Sequence, residues 1–217
     1  MLDYCLAVVR RLALPALAIG AVPAAAMTAA LVLGDGASWS GAAPQALAAG
    51  AAGAFAFTAA LTVTTAVSAA RTARRYGLTF GPEAVALPSV REVRMLPIEG
   101  RTAFQLTDSV RHAVEKDPAL RVDEVTAFGH GILDLTLRGP SASTVFVRVR
   151  VTTGPEGTAA VVEARPAATY KRLDAAACWS VARVVEERVT RALRAETLRA
   201  ETLRTETLRV ETGNGTL

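Results

Sequence analysis

Two long apolar segments without a charged side chain, Leu12–Leu33 and Ala46–Ala70, fill most of the first third of the chain. A helix needs about 20 mostly apolar residues to cross the hydrocarbon core of a bilayer, and both segments reach that length. A helical hairpin in a soluble protein would need a polar face, and neither segment has one. The sequence therefore predicts a transmembrane hairpin over residues 1–75, with spans at about residues 12–33 and 46–70.

Charges beside the two spans predict their orientation. The connecting loop, Gly34–Gln45, carries only Asp35, whereas arginines lie on the outer side of each span. Since basic residues collect on the cytoplasmic side of a membrane, we expect a multi-pass protein of the plasma (cytoplasmic) membrane with both termini in the cytoplasm. The arginines that indicate this topology are Arg10, Arg11, Arg71, Arg74 and Arg75.

A cleaved signal peptide is an alternative interpretation of the first span. Arg10 and Arg11, the apolar run and the alanines at 24–26 match the three regions of such a peptide. The apolar run continues to Leu33, which favours an uncleaved span. In either case the arginines at 71, 74 and 75 are expected to keep the remainder of the chain inside.

Small residues recur at four-residue spacing in the second span, for example Gly50 with Ala54 and Ala49 with Gly53. Such residues let helix backbones approach closely. We expect them to pack the two spans against each other, and a homo-oligomer formed through the same small-residue faces is the alternative. Neither span contains an ionisable side chain, which argues against a channel or transporter.

The charge of the remaining chain argues against nucleic acid as a partner. Residues 76–217 hold 19 basic and 18 acidic side chains, and a nucleic-acid-binding domain normally carries a strong basic surface. Arginine outnumbers lysine 22 to 2, which is typical of a bacterial genome rich in G and C. Cys5 and Cys178 are both expected to face the reducing cytoplasm, so no disulfide is predicted.

Residues 76–193 are predicted to form a cytoplasmic α+β domain. Short extended pieces are expected at Leu78–Phe80 and Ala84–Leu87, and a helix at Ala103–Lys116 that begins with a capping box between Thr102 and Gln105. A final helix is expected from about Asp174 to Leu193. The alternation of apolar and polar residues predicts an antiparallel sheet of about four to six strands with the two helices on one side. Four of these strands are predicted at Leu120–Phe128, Ile132–Arg138, Thr144–Thr152 and Ala159–Arg165.

This organisation resembles small uncharacterised bacterial membrane proteins that have two N-terminal transmembrane helices and a cytoplasmic α+β domain. The segment Val161–Leu193 is also similar to an uncharacterised bacterial domain family in which a strand ends in an arginine-rich turn and an Asp opens the terminal helix. The matching pieces are residues 162–165 and Asp174, whereas the Ser-Arg motif of that family is replaced by Pro166-Ala167-Ala168. The resemblance implies a fold and no activity.

Four arginines on the predicted strands are the candidate binding residues, for anionic headgroups or an acidic partner: Arg138, Arg148, Arg150 and Arg165. The alternative is a solvated face on which Asp134 and Glu163 pair with arginines across strands.

No catalytic residue, metal site or cofactor is predicted. His112 and His130 lack the spacing of zinc ligands, and Cys178 has the surroundings of a packed core residue. Several carboxylates have no convincing acid/base partner in the sequence, namely Asp108, Glu115, Asp117, Asp123 and Glu124.

Residues 194–217 form a low-complexity tail in which Glu-Thr-Leu-Arg recurs from Glu196, Glu201 and Glu206. A five-residue step moves each leucine around a helix instead of along one side, which disfavours a coiled coil. The tail is therefore predicted to be a frayed extension of the last helix, with a role in partner binding as the alternative.

Three functional hypotheses follow. The first is a non-enzymatic inner-membrane protein that anchors its α+β domain for interaction with a protein or the membrane surface. The second is a membrane-associated enzyme with an unrecognised site, and the third a sensor of anionic lipid or a small ligand. The absence of a catalytic motif favours the first.

Overall fold

The computed structural model describes residues 2–34, 38–138, 143–167 and 176–213, with side chains in the last range as far as residue 205. The chain divides into two compact units: residues 1–71 with 79–85 form the first, and residues 72–78 with 86–217 form the second. The division between the units is therefore not a single point near residue 75, because the last turn of the second helix belongs with the α+β domain.

The first unit consists mainly of two long helices, α1 (Leu2–Gly34) and α2 (Trp39–Tyr76). The part of α2 that follows Arg71 belongs to the second unit. Both helices are long and apolar enough to cross a bilayer. Each extends beyond the predicted span at both ends, and α1 begins ten residues before it.

Packing between α1 and α2 depends on two glycines. A Cβ added at Gly50 would lie 2.5 Å from the carbonyl oxygen of Gly20, and one added at Gly20 would lie 3.0 Å from the Cβ of Ala54. The predicted close packing between the spans is thus confirmed at Gly50 and Ala54. By contrast, a Cβ at Gly53 would meet no atom within 4 Å.

The segment at residues 79–85 completes the first unit. Pro82–Val85 forms a single 3₁₀ turn, so the predicted extended piece at Ala84–Leu87 is wrong for its first two residues. Pro82 occupies the first position of this turn, which proline favours because its φ angle is already suitable for a helix. Ala84, within the turn, is fully buried. The Phe80 ring lies 5.9 Å from the Tyr4 ring, and Arg11 donates a hydrogen bond to the Val85 carbonyl.

The second unit is an antiparallel sheet with two helices packed on one face, which confirms the predicted α+β fold. The strands are β1 (Ser89–Met95), β2 (Arg121–Gly129), β3 (Ile132–Arg138), β4 (Thr144–Gly154) and β5 (Gly157–Pro166), in the order β1-β5-β4-β3-β2. The helices are α3 (Ala103–Glu115) and α4 (Ala177–Gly213). The sequence prediction lacked β1, because its charged residues obscure the alternation of apolar and polar positions.

The core lies between the sheet and the two helices. Alternate residues of β3, β4 and β5 point towards α3 and α4, as the sequence pattern predicts. The capping box at the start of α3 is confirmed. The backbone N–H of Gln105 donates to Thr102 Oγ1 at 3.3 Å, and the backbone N–H of Thr102 donates to Gln105 Oε1 at 3.0 Å. The core residues with the least exposure include Leu106, Val110, Val114, Leu133, Leu135, Leu137, Val147, Val149, Val162, Val185, Val189 and Leu193.

The last helix continues beyond Leu193 into the tail, as expected for a tail that extends this helix. α4 continues past Leu193 without a break and includes the Glu-Thr-Leu-Arg repeats up to Gly213. The predicted start at Asp174 lies outside the described residues. Since Glu196 is buried and Ala200 packs against the core, the first repeat belongs structurally to the α+β domain.

Candidate functional site

The predicted arginine face is the side of the sheet opposite α3 and α4, which we call the outer sheet face. Strand register places Asp134 of β3 opposite Arg148 of β4, and Arg148 opposite Glu163 of β5. Arg148 binds Asp134 with both ends of its guanidinium group, at 2.7 Å from Nε to Oδ1 and 2.6 Å from Nη2 to Oδ2. Arg148 is therefore already paired with an acid and is not free to bind an anionic ligand.

The electrostatics of Asp134 follow from this pairing. Hydrogen bonds from Arg148 hold the pKa of the Asp134 carboxyl below its ordinary value of 3.8, against the opposing effect of partial burial. The positive charges of Arg165 and Arg150 lower this pKa further. The carboxylate is thus ionised at neutral pH, and its charge offsets that of Arg148.

The remaining arginines of the outer sheet face are dispersed. Arg138 pairs with Asp123 of β2 at 3.3 Å, and the guanidinium of Arg165 lies 5.8 Å from the centre of the Phe146 ring. Within the described part of the chain, Arg150 and Arg165 form no ion pair.

A small cavity of about 90 Å³ lies on the outer sheet face between β2, β3, β4 and β5. Two acids, Asp134 and Glu163, and two arginines, Arg148 and Arg165, line it together with neutral residues. Because these charges cancel, the cavity favours neither an anion nor a cation. The structure thus brings two of the four candidate arginines together, but in a compensated arrangement, as the alternative of cross-strand pairing predicts.

The histidines and the buried cysteine are placed separately. His112 is about half exposed on α3, and its Nδ1 is 3.0 Å from the Asp108 carbonyl oxygen. His130 is exposed in the turn between β2 and β3. Cys178 is fully buried in the core. Across the described ranges, no group of three or more His, Cys, Asp and Glu residues could hold a metal ion.

Two buried carboxylates stabilise the contact between α3 and α4. Asp117 accepts hydrogen bonds from the Arg188 guanidinium and, at 2.9 Å, from the Ala119 amide. Its partner is 71 residues away, so the sequence could not reveal the pair.

Glu196 is the second buried carboxylate and opens the first Glu-Thr-Leu-Arg repeat. It forms an ion pair with Arg101 at 3.0 Å, and it accepts hydrogen bonds from Arg199 at 2.8 Å and from the Ser109 hydroxyl at 3.1 Å. One signal in the sequence could have indicated its burial: the apolar stripe of α4 continues through Leu193 to Ala200 on the same side of the helix.

A shallow groove runs between α3 and α4 on the side away from the sheet. It consists of two adjoining depressions, of about 430 and 400 Å³, that share the lining residues Ala113, Lys116, Ala192 and Ala195. We call it the α3–α4 groove. The three alanines form its floor, and longer polar side chains form its rim.

Tyr76, the last residue of α2, belongs to the second unit. Its hydroxyl donates a hydrogen bond to the Ala119 carbonyl at 3.3 Å. Burial raises the pKa of the Tyr76 phenol above its ordinary value of 10.0, the charge of Arg75 opposes that rise, and the charge of Asp117 adds to it.

Comparison of the chain with protein-family models, with curated proteins and with solved structures finds no match.

Proposed function

We propose that this protein is a non-catalytic membrane protein of bacterial type, in which the hairpin of α1 and α2 anchors the α+β domain at the cytoplasmic face of the plasma membrane for interaction with a partner protein. The observation that carries the proposal is the exposure of large apolar side chains on both helices. Leu14, Val22 and Phe55 are between 70% and 77% exposed in the absence of lipid. In a bilayer the same side chains would contact acyl chains.

Burial distinguishes these helices from core helices of soluble proteins. Only 17% of the most apolar stretch of α1 and 11% of that of α2 is buried within the protein, whereas a soluble core helix is mostly buried. Leaving so much apolar surface in water costs on the order of 25 cal/mol for each Å². A lipid environment removes this cost without a further protein layer.

The proposed orientation depends on the arginines. Arg10 precedes the apolar part of α1, and Arg71, Arg74 and Arg75 follow that of α2. The positive-inside rule assigns these ends to the cytoplasm. The α+β domain, which follows Arg75 in the chain, is then cytoplasmic as well.

The α+β domain favours interaction over catalysis. On the outer sheet face Arg148 is paired with Asp134 and Arg138 with Asp123, and the cavity of about 90 Å³ on this face is well below the roughly 300 Å³ of a small-molecule site. A protein partner needs a surface instead of an enclosed pocket.

Membrane integration is tested by charging the surface proposed to face lipid. In Val22→Arg/Val63→Arg, each span receives a charge at a site that is 60–70% exposed. We expect this variant to be released from membranes by alkaline carbonate, because a central arginine costs about 2.5–3.5 kcal/mol in a spanning helix. Val90→Arg, at a 56% exposed valine of β1, is the matched control and should stay in the membrane pellet like the unmodified protein. Release of the unmodified protein by carbonate would contradict the proposal.

A further inference from the structure

We propose that the α3–α4 groove is the docking site for an acidic helical segment of a partner protein. This inference rests on the proposed function, which requires a partner but does not say where it binds. The argument has three steps, concerning the shape of the groove, its floor and the charge of its rim.

The shape of the groove fits a helix. Its lining residues on α4 extend from Arg188 to Arg199, which corresponds to about 16 Å along the helix axis. An open trough of about three helical turns accepts a partner helix of similar length, and recognition of a helix in a groove is a recurrent mode of peptide binding.

The floor of the groove allows close approach. Ala113, Ala192 and Ala195 present methyl groups where α3 and α4 meet, and none of them projects far from its helix. A third helix can therefore pack its own small or medium apolar residues against this floor, as helices do when small residues occur at the contact.

The rim of the groove carries an excess of positive charge because its three acids are each paired with arginine: Asp108 with Arg111, Asp117 with Arg188, and Glu196 with Arg101 and Arg199. The carboxylates of Asp117 and Glu196 are only 4% and 5% exposed and are paired with arginines. Lys116 and Arg191 are exposed on the rim, and within the described residues neither forms an ion pair. An approaching segment therefore meets unpaired cations above an apolar floor, and charge complementarity selects an acidic occupant.

Photo-crosslinking in cells tests this proposal with the full-length protein. The crosslinking amino acid p-benzoylphenylalanine replaces His112, which lines the groove and is about half exposed, or Ala127, which is exposed on the outer sheet face. Crosslinked peptides are then identified by mass spectrometry. We expect the probe at residue 112, but not that at 127, to capture an acidic segment of another protein.

Charge reversal gives the second part of the test. Lys116→Glu/Arg191→Glu should reduce the yield of that crosslink by about tenfold or more, because two attractive contacts become repulsive. Arg94→Glu/Arg121→Glu changes the net charge equally at exposed sites on the two edge strands and should leave the yield unchanged.

Each other outcome would overturn the groove assignment. These outcomes are a crosslink to phospholipid, to a second copy of this chain or to a non-acidic segment, capture only from residue 127, no crosslink from either position, or equal loss in both charge-reversal variants. The carbonate experiment decides membrane anchoring independently, so failure of the docking site is distinguishable from failure of the proposed function.

Discussion

Glu196→Ala is expected to loosen the contact between α3 and α4, although the substitution lies in a low-complexity repeat. The carboxylate is 5% exposed, forms an ion pair with Arg101 and accepts hydrogen bonds from Arg199 and Ser109. A hydrogen bond to a charged group contributes about 1.5–3 kcal/mol, and breaking a buried pair costs about 3–5 kcal/mol. Arg101 and Arg199 are 27% and 68% exposed, so water will partly replace their lost partner. We therefore expect a loss of about 2–3 kcal/mol in the free energy of unfolding.

Hydrogen exchange measured by mass spectrometry on the full-length protein in detergent is the appropriate assay. If opening of the helical layer limits exchange, amides of α3 should exchange about 30- to 150-fold faster in Glu196→Ala. The repeat supplies a matched control, because Glu201 occupies the same place in the second copy and is exposed. Glu201→Ala should change the free energy by less than about 0.5 kcal/mol. Equal effects of the two substitutions would refute the structural role assigned to Glu196.

Three further predictions concern the hairpin, the outer sheet face and the end of α2. Gly50→Ala should weaken the packing of α1 on α2 by about 1–3 kcal/mol, measured by denaturation in SDS, because the added Cβ would lie 2.5 Å from a backbone oxygen. Gly53→Ala should not weaken it, because a Cβ at Gly53 meets no atom within 4 Å. Asp134→Asn should remove an advantage in thermal stability that the native protein has at neutral pH. Because the pKa of Asp134 is lowered on folding, this advantage exists above the unfolded-state pKa and disappears as the pH falls through the folded-state pKa, so melting curves of the two proteins should converge in acid. Tyr76→Phe should cost about 1 kcal/mol, measured by exchange of the amides near Ala119, and no change there would contradict the hydrogen bond.

The strands β3 to β5 were predictable because each has one buried and one exposed face. Leu133, Leu135 and Leu137 alternate with polar residues at a period of two, and the structure buries all three. In β1 the inward position between Ser89 and Val93 is Arg91, whose guanidinium lies over the Trp179 ring at 5.2 Å. A partly buried contact that uses an arginine in place of an aliphatic residue does not appear in a pattern of hydrophobicity.

The candidate site was predictable only in part, for a physical reason. Alternation placed Arg148 and Asp134 on one face, and neighbouring strands then made their pairing foreseeable. The α3–α4 groove depends on contacts between distant parts of the chain, such as that of Ser109 with Glu196, 87 residues apart. Neither amphipathicity nor repeat spacing specifies which helix faces which, so the groove required the tertiary structure.

Cysteine accessibility in intact bacterial cells tests the central claim most directly. In a background of Cys5→Ser and Cys178→Ala, a single cysteine replaces either Ser40, near the start of α2, or Glu156, in the exposed turn between β4 and β5. A membrane-impermeant maleimide should label Ser40→Cys in intact cells and Glu156→Cys only after the cytoplasmic membrane is permeabilised. Labelling of Glu156→Cys in intact cells, or protection of Ser40→Cys there, would contradict a hairpin whose α+β domain faces the cytoplasm.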